Sequence, residues 1–139
     1  MISAKRRDQL KVAGLFLMAA FYAFTGVSHL LDPDIFVKAI PPILPFPYAI
    51  AVLSGVAELV LAVTLLFVKT RRWAAWGVIA LLIAVFPANI HMYLARETEF
   101  PDIPGWALLL RLPMQFILIG WAYFYTRPSA RALDRANTR

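Results

Sequence analysis

The sequence predicts an all-α fold: a polytopic membrane protein in which four transmembrane helices form one bundle with both termini in the cytoplasm. Three observations carry this. Of the 139 residues, 61% are hydrophobic and 16% charged, where soluble domains carry nearer a quarter charged. Four apolar stretches are each long enough to cross about 30 Å of hydrocarbon at about 1.5 Å per residue. None shows the alternation of apolar and polar residues over about 10 positions that a barrel strand needs, and Trp73 to Ala88 has no charged or amide side chain at all. Four spans consume about 80 residues. The remainder suffices only for ends and loops, so residues 1–139 read as a single membrane domain.

The first span is expected over Val12 to Leu31. Lys5, Arg6 and Arg7 ahead of it resemble the charged start of a cleaved signal peptide, yet the apolar run exceeds the usual 7 to 15 residues. It also closes on Ser28, His29, Leu31 and Asp32 without a small-x-small cleavage pattern, so it is read as a retained span. The connection that follows carries Pro33, Pro41, Pro42, Pro45 and Pro47. A segment reading IPPILPFP cannot continue as helix, and its apolar character places it on the outer interface, as a stiff connector in preference to a functional lid.

The second, third and fourth spans are expected over Tyr48 to Val68, Trp73 to Leu94 and Gly105 to Tyr125. Ala80, Ala84 and Ala88 form a small-residue stripe on the third, and Gly26, Gly55 and Gly120 on the others permit close helix approach.

A net charge of +6 would point to nucleic acid on a soluble surface, but here the basic residues lie at span ends. Lys5, Arg6, Arg7, Lys11, Lys69, Arg71, Arg72, Arg127, Arg131, Arg135 and Arg139 face only Asp8 and Asp134 on the side holding both termini. The other side has Lys38 and Arg96 against Asp32, Asp34, Glu97, Glu99 and Asp102. The positive-inside rule then assigns the termini to the cytoplasm, in a multi-pass protein of a bacterial cytoplasmic (inner) membrane. Trp73, Trp76, Trp121, Tyr123 and Tyr125 at one boundary, and Tyr48, Tyr93 and Trp106 at the other, match aromatic belts. The expected partner is the lipid bilayer, not nucleic acid. With no cysteine, disulfides, thiolate nucleophiles and cysteine-held metal clusters are excluded.

Polar residues inside spans cost insertion energy and are functional hypotheses by default. Tyr22, Thr25, Ser28 and His29 share one helical face of the first span. Ser54 and Glu58 stand i, i+4 on the second, with Glu58 about 15 Å past Tyr48. Asn89 and His91 lie near the outer end of the third span, and Arg111 and Gln115 are i, i+4 on the fourth, about 9 and 15 Å deep. Nearly all of this polarity falls in the outer half, where His29, Ser54, Glu58, Asn89, Arg111 and Gln115 are the candidate ligand-binding residues. Glu58 is the candidate proton relay.

Glu58 and Arg111 are expected to pair, because either charge alone near the bilayer centre costs about 2.5–3.5 kcal/mol. Pro87 and Pro113 free the carbonyls of Ile83 and Leu109 for donors such as Arg111, Gln115 or Asn89. A structural ion pair that holds four helices in register is the competing reading. No metal site is expected: counted along the helices, Glu58 lies about 10 Å deeper than His29 or His91. A haem between His29 and His91 is less strained but not favoured, since interfacial histidines are commonly just solvated.

The segments FTGVSHLLDPDIF, IPPILPFP, SGVAELVLAVTLL, RRWAAWGVIALLIAVFPANIHM and LRLPMQF, in that order, resemble the DoxX-like family of small four-helix membrane proteins. The likeness covers roughly Phe16 to Tyr125. It rests on Gly26, His29, Pro33 and Phe36, then Pro45, then Ser54, Gly55 and Glu58, then Arg72, Pro87, Ala88 and Asn89, and finally Arg111, Pro113 and Gln115.

The resemblance implies a subunit or accessory of a membrane redox system, since the namesake group includes a subunit associated with thiosulfate oxidation and quinone reduction. Quinone is the implied cofactor, a redox protein the implied partner, and a homo-oligomer a further possibility. Whether the chain is itself an enzyme is left undecided. The alternative is a non-catalytic binding, transport or assembly protein whose polar cluster is structural.

Overall fold

In a computed structural model, which describes residues 3–128, the chain forms helices and no strand among those residues. The first helix, α1 (Ala4–Leu31), begins about two turns ahead of the apolar stretch. Ser3 starts it, its hydroxyl accepting the N–H of Arg6 at 3.4 Å. At 28 residues it extends about 42 Å, longer than the hydrocarbon core, so its first turns with Lys5, Arg6 and Arg7 project beyond the apolar layer.

A short helix, α2 (Pro33–Val37), interrupts the proline-rich connection. Pro33 occupies its first position, where the fixed φ suits a helix start and the missing N–H has no bond to lose. Phe46, with φ 54°, turns the chain through the left-handed region into α3 (Pro47–Leu66). Then follow α4 (Arg71–Leu94), which contains Pro87, and α5 (Gly105–Thr126), which contains Pro113.

Four of these helices, α1, α3, α4 and α5, are long and apolar enough to cross a membrane. The protein is a multi-pass, all-helical bundle. In it α1 packs on α3, α3 on α4 and α4 on α5, while α2 rests against α3 and α1. Met18, Leu65, Val78, Ala75 and Ala122 fill the shared core. Phe16, Leu17, Phe24, Leu53, Ile83, Phe116 and Ile117 point outward, the arrangement expected where hydrocarbon replaces water as the solvent.

Close approaches fall at other places than the small-residue stripe predicts. Ala80 and Ala84 are exposed, and a Cβ at Gly120 would meet nothing within 4 Å. Helices touch, as expected, at Gly26 and Gly55, and also at Gly77 against Leu61. α1 and α5 meet through Tyr125, whose hydroxyl donates to the Lys11 carbonyl at 2.9 Å. Arg131, Asp134, Arg135 and Arg139, counted above in the charge asymmetry, lie outside the described residues.

Candidate functional site

The α1–α3 crossing is backbone against backbone. A Cβ on Gly26 would come within 2.8 Å of the Gly55 carbonyl oxygen, and one on Gly55 within 2.9 Å of that of Gly26. Only glycine at both positions admits this approach. It brings His29, one turn outward on α1, against α3. There Nδ1 of His29 lies 2.9 Å from the Ala51 carbonyl oxygen and Nε2 lies 4.0 Å from Oε1 of Glu58.

The expected depth gap between His29 and Glu58 is therefore closed. Counting residues measures Cα positions, whereas helical side chains lean toward the N-terminus of their own helix. In an antiparallel pair those leans converge, the imidazole reaching inward and the carboxyl outward.

The chemistry of Ala51 fixes the state of the ring. A carbonyl oxygen only accepts, so Nδ1 carries the hydrogen. In the neutral imidazole Nε2 is then the free lone pair, and it faces Glu58. One proton can stand on Nε2 or on the carboxyl, and 4.0 Å is a separation that a small rotation or a bridging water converts into a transfer distance.

Neighbouring groups enclose the pair. Phe36 on α2 stacks on the imidazole, with ring centroids 3.6 Å apart and planes at 26°. The Thr25 hydroxyl lies beside Glu58 and donates to the Tyr22 carbonyl at 3.2 Å. Tyr22 and Glu58 are both buried, and among the described residues Oη of Tyr22 and Oε2 of Glu58 have no hydrogen-bond partner. Unsatisfied polar atoms at such depth are expensive, and each can serve a guest molecule.

The expected Glu58–Arg111 pair does not form. Arg111 is exposed on α5, and its Nη1 is 3.4 Å from Sδ of Met92 on α4. Its stem can carry the guanidinium along the helix surface toward a polar boundary, which removes the need for a buried carboxylate.

Gln115 is buried and donates through Nε2 to the Leu82 carbonyl at 3.1 Å, one residue from the carbonyl that Pro87 frees. Its Oε1 is unpartnered among the described residues. Ser54 and Asn89 are half-buried.

The candidate polar set thus divides in two. His29 and Glu58 join between α1 and α3, with Tyr22 and Thr25; Gln115 and Arg111 serve α4. Phe36 and the Ala51 carbonyl complete the site without a signal in spacing or periodicity, although Phe36 is among the residues that carry the DoxX-like resemblance. Among the described residues no group of three or more His, Cys, Asp or Glu gathers as a metal ion requires.

Two cavities open among the described residues away from this cluster, neither lined by Glu58 or Gln115. One, of about 760 Å³, lies at the terminal end of the bundle. The other, of about 550 Å³, lies under the proline-rich connection beside His91.

A family model described as "Domain of unknown function (DUF8561)" matches residues 18–126, from within α1 to the last residue of α5. No curated protein matches the chain, and no solved structure does.

Proposed function

The chain belongs to the DUF8561 family, and within it we propose that this protein is a membrane-embedded accessory of a quinone-linked redox system, with the His29–Glu58 pair as its proton-handling group. One observation supports this above the others. Glu58 is buried in an apolar bundle, faced by an imidazole nitrogen of the neighbouring helix at 4.0 Å, with its other oxygen unpartnered among the described residues. A charge at such depth costs about 2.5–3.5 kcal/mol to insert, and the Gly26–Gly55 contact already holds α1 on α3 without it.

The hydrogen-bonding groups around the pair match the polar atoms of a quinone in chemistry. Its carbonyl oxygens require donors, which the Tyr22 hydroxyl and a protonated Glu58 supply. The quinone when bound supplies two-electron chemistry, and the electrons come from a redox partner protein. Glu58 holds a proton at Oε1 or passes it to Nε2 of His29, while Phe36 shields the ring. The DoxX-like resemblance supports the same assignment. The basic terminal end belongs in the cytoplasm by the positive-inside rule, which puts the pair in the outer half of a bacterial inner membrane.

A second reading draws on Gln115 and Arg111, whose contacts with Leu82 and Met92 tie α5 to α4. It makes the chain a non-catalytic binding, transport or assembly protein. Organic extracts of the purified chain separate the two. The redox reading expects quinone in the wild-type extract and a marked loss in equally stable Glu58→Gln and Tyr22→Phe variants. Extracts without quinone, or with equal amounts in all three proteins, favour assembly.

A further inference from the structure

A cleft of about 760 Å³ opens between α1 at Lys11, Val12 and Leu15 and the last turns of α5, beside the α3–α4 connection. It lies at the end of the bundle where both termini emerge, opposite the His29–Glu58 pair, and is independent of the redox reading. Its size is within the range of about 300–1,000 Å³ of small-molecule sites. Five cations line it, Lys11, Lys69, Arg71, Arg72 and Arg127, and no carboxylate does.

Three of the five already have contacts. Arg71 donates to the carbonyls of Leu65 and Leu66 at 3.0 and 3.3 Å, closing the end of α3. Lys11 stands 5.5 Å from the Phe124 ring centroid and Arg127 5.2 Å from that of Tyr123. The side chains of Lys69 and Arg72 make no hydrogen bond, ion pair or ring contact among the described residues.

The start of α4 adds to this field. Thr70 turns its hydroxyl to the Thr64 and Phe67 carbonyls, so α4 begins without a side-chain cap. The Arg71 N–H is taken by the Phe67 carbonyl at 2.9 Å, which leaves the N–H groups of Arg72 and Trp73 and the positive end of the helix dipole facing the connection.

Beyond the cations the walls become apolar, with Val12 and Leu15 on α1 and Phe124 on α5. Between them Gly120 leaves a gap, since a Cβ there would meet no atom within 4 Å. Trp73, largely exposed, and Tyr123, about half-buried, stand at the rim with the amphipathic rings favoured at a membrane boundary. A cationic mouth continuous with an apolar trough has the two-part chemistry of a lipid. A free anion would have no use for the trough.

We propose that this cleft binds an anionic phospholipid, its phosphate held by Lys69 and Arg72 and one acyl chain lying across Gly120 against Phe124. Arg127 flanks the headgroup, and Arg71 positions the connection without contacting the lipid. Basic pockets of this kind between transmembrane helices select headgroups by charge.

Native mass spectrometry of the full chain in mild detergent, titrated separately with phosphatidylglycerol, phosphatidylcholine and inorganic phosphate, tests this. Phosphatidylglycerol is expected to bind several-fold better than phosphatidylcholine. Neutralising the mouth with Lys69→Gln and Arg72→Gln should cost about five-fold per cation. Gly120→Leu narrows the trough at unchanged charge, and its Cβ meets no atom within 4 Å; in a protein whose thermal unfolding matches wild type it should weaken phosphatidylglycerol while the cationic mouth stays intact. Equal binding of the two lipids would overturn the proposal. So would wild-type affinity in the double variant or in Gly120→Leu. Inorganic phosphate displacing the lipid at comparable concentration would show a free-anion site and likewise overturn it.

Discussion

Nδ1 of His29 sits 2.9 Å from the carbonyl oxygen of Ala51, so a backbone acceptor on α3 decides which imidazole nitrogen of α1 carries the hydrogen. The lone pair of Nε2 is thereby aimed at Glu58, and no side chain is needed to orient the ring. Nitrogen-15 shifts of selectively labelled histidine should report neutral His29 as the Nδ1–H tautomer. A predominant Nε2–H form would remove the basis for proton exchange with Glu58.

The crossing beneath the pair should be intolerant of one methyl group. In Gly55→Ala the new Cβ falls 2.5 Å from Cβ of His29 and 2.9 Å from the Gly26 carbonyl oxygen, an overpacking worth about 1–3 kcal/mol. Gly120→Ala meets no atom within 4 Å and should be neutral or gain up to about 1 kcal/mol in helix propensity. Thermal unfolding in one detergent compares the two. A Gly55→Ala protein as stable as wild type would mean that the helices do not touch there.

Double-mutant cycles should couple Glu58 to His29 and not to Arg111. Polar contacts between membrane helices average about 0.6 kcal/mol, so the His29→Phe and Glu58→Gln cycle should reach at least that order. The Glu58→Gln and Arg111→Leu cycle should be additive to within about 0.5 kcal/mol. A larger coupling to Arg111 in equilibrium unfolding would restore the pair that insertion cost alone predicts.

Much of the architecture is legible in residue order. Hydropathy locates all four spans, because a helix in hydrocarbon must be apolar for about 20 residues whatever it packs against. What it misses is polar or local. α1 starts at Ala4 because Ser3 caps it, and the charged turns that follow carry no apolar signal. α2 is only 5 residues long, too short for a periodicity.

At the site, the buried ionisable residues announce themselves, but their partners do not. Glu58 reads as a charge in need of a mate, and Arg111 is the cation that lies within a neighbouring span. Geometry prefers His29, because the Gly26–Gly55 contact sets the stagger and the side chains lean into it. Gly120 shows the opposite failure: glycine in a span suggests packing, and here it leaves a wall open.

The proton-handling role of Glu58 is tested most directly by redox-induced infrared difference spectroscopy on the chain reconstituted with a quinone and a chemical reductant. A carboxyl carbonyl band is expected to appear or shift on quinone reduction, to move in deuterated water, and to be absent in Glu58→Gln with quinone added to equal occupancy. Superimposable difference spectra of wild type and Glu58→Gln would contradict it and leave Glu58 as part of the scaffold.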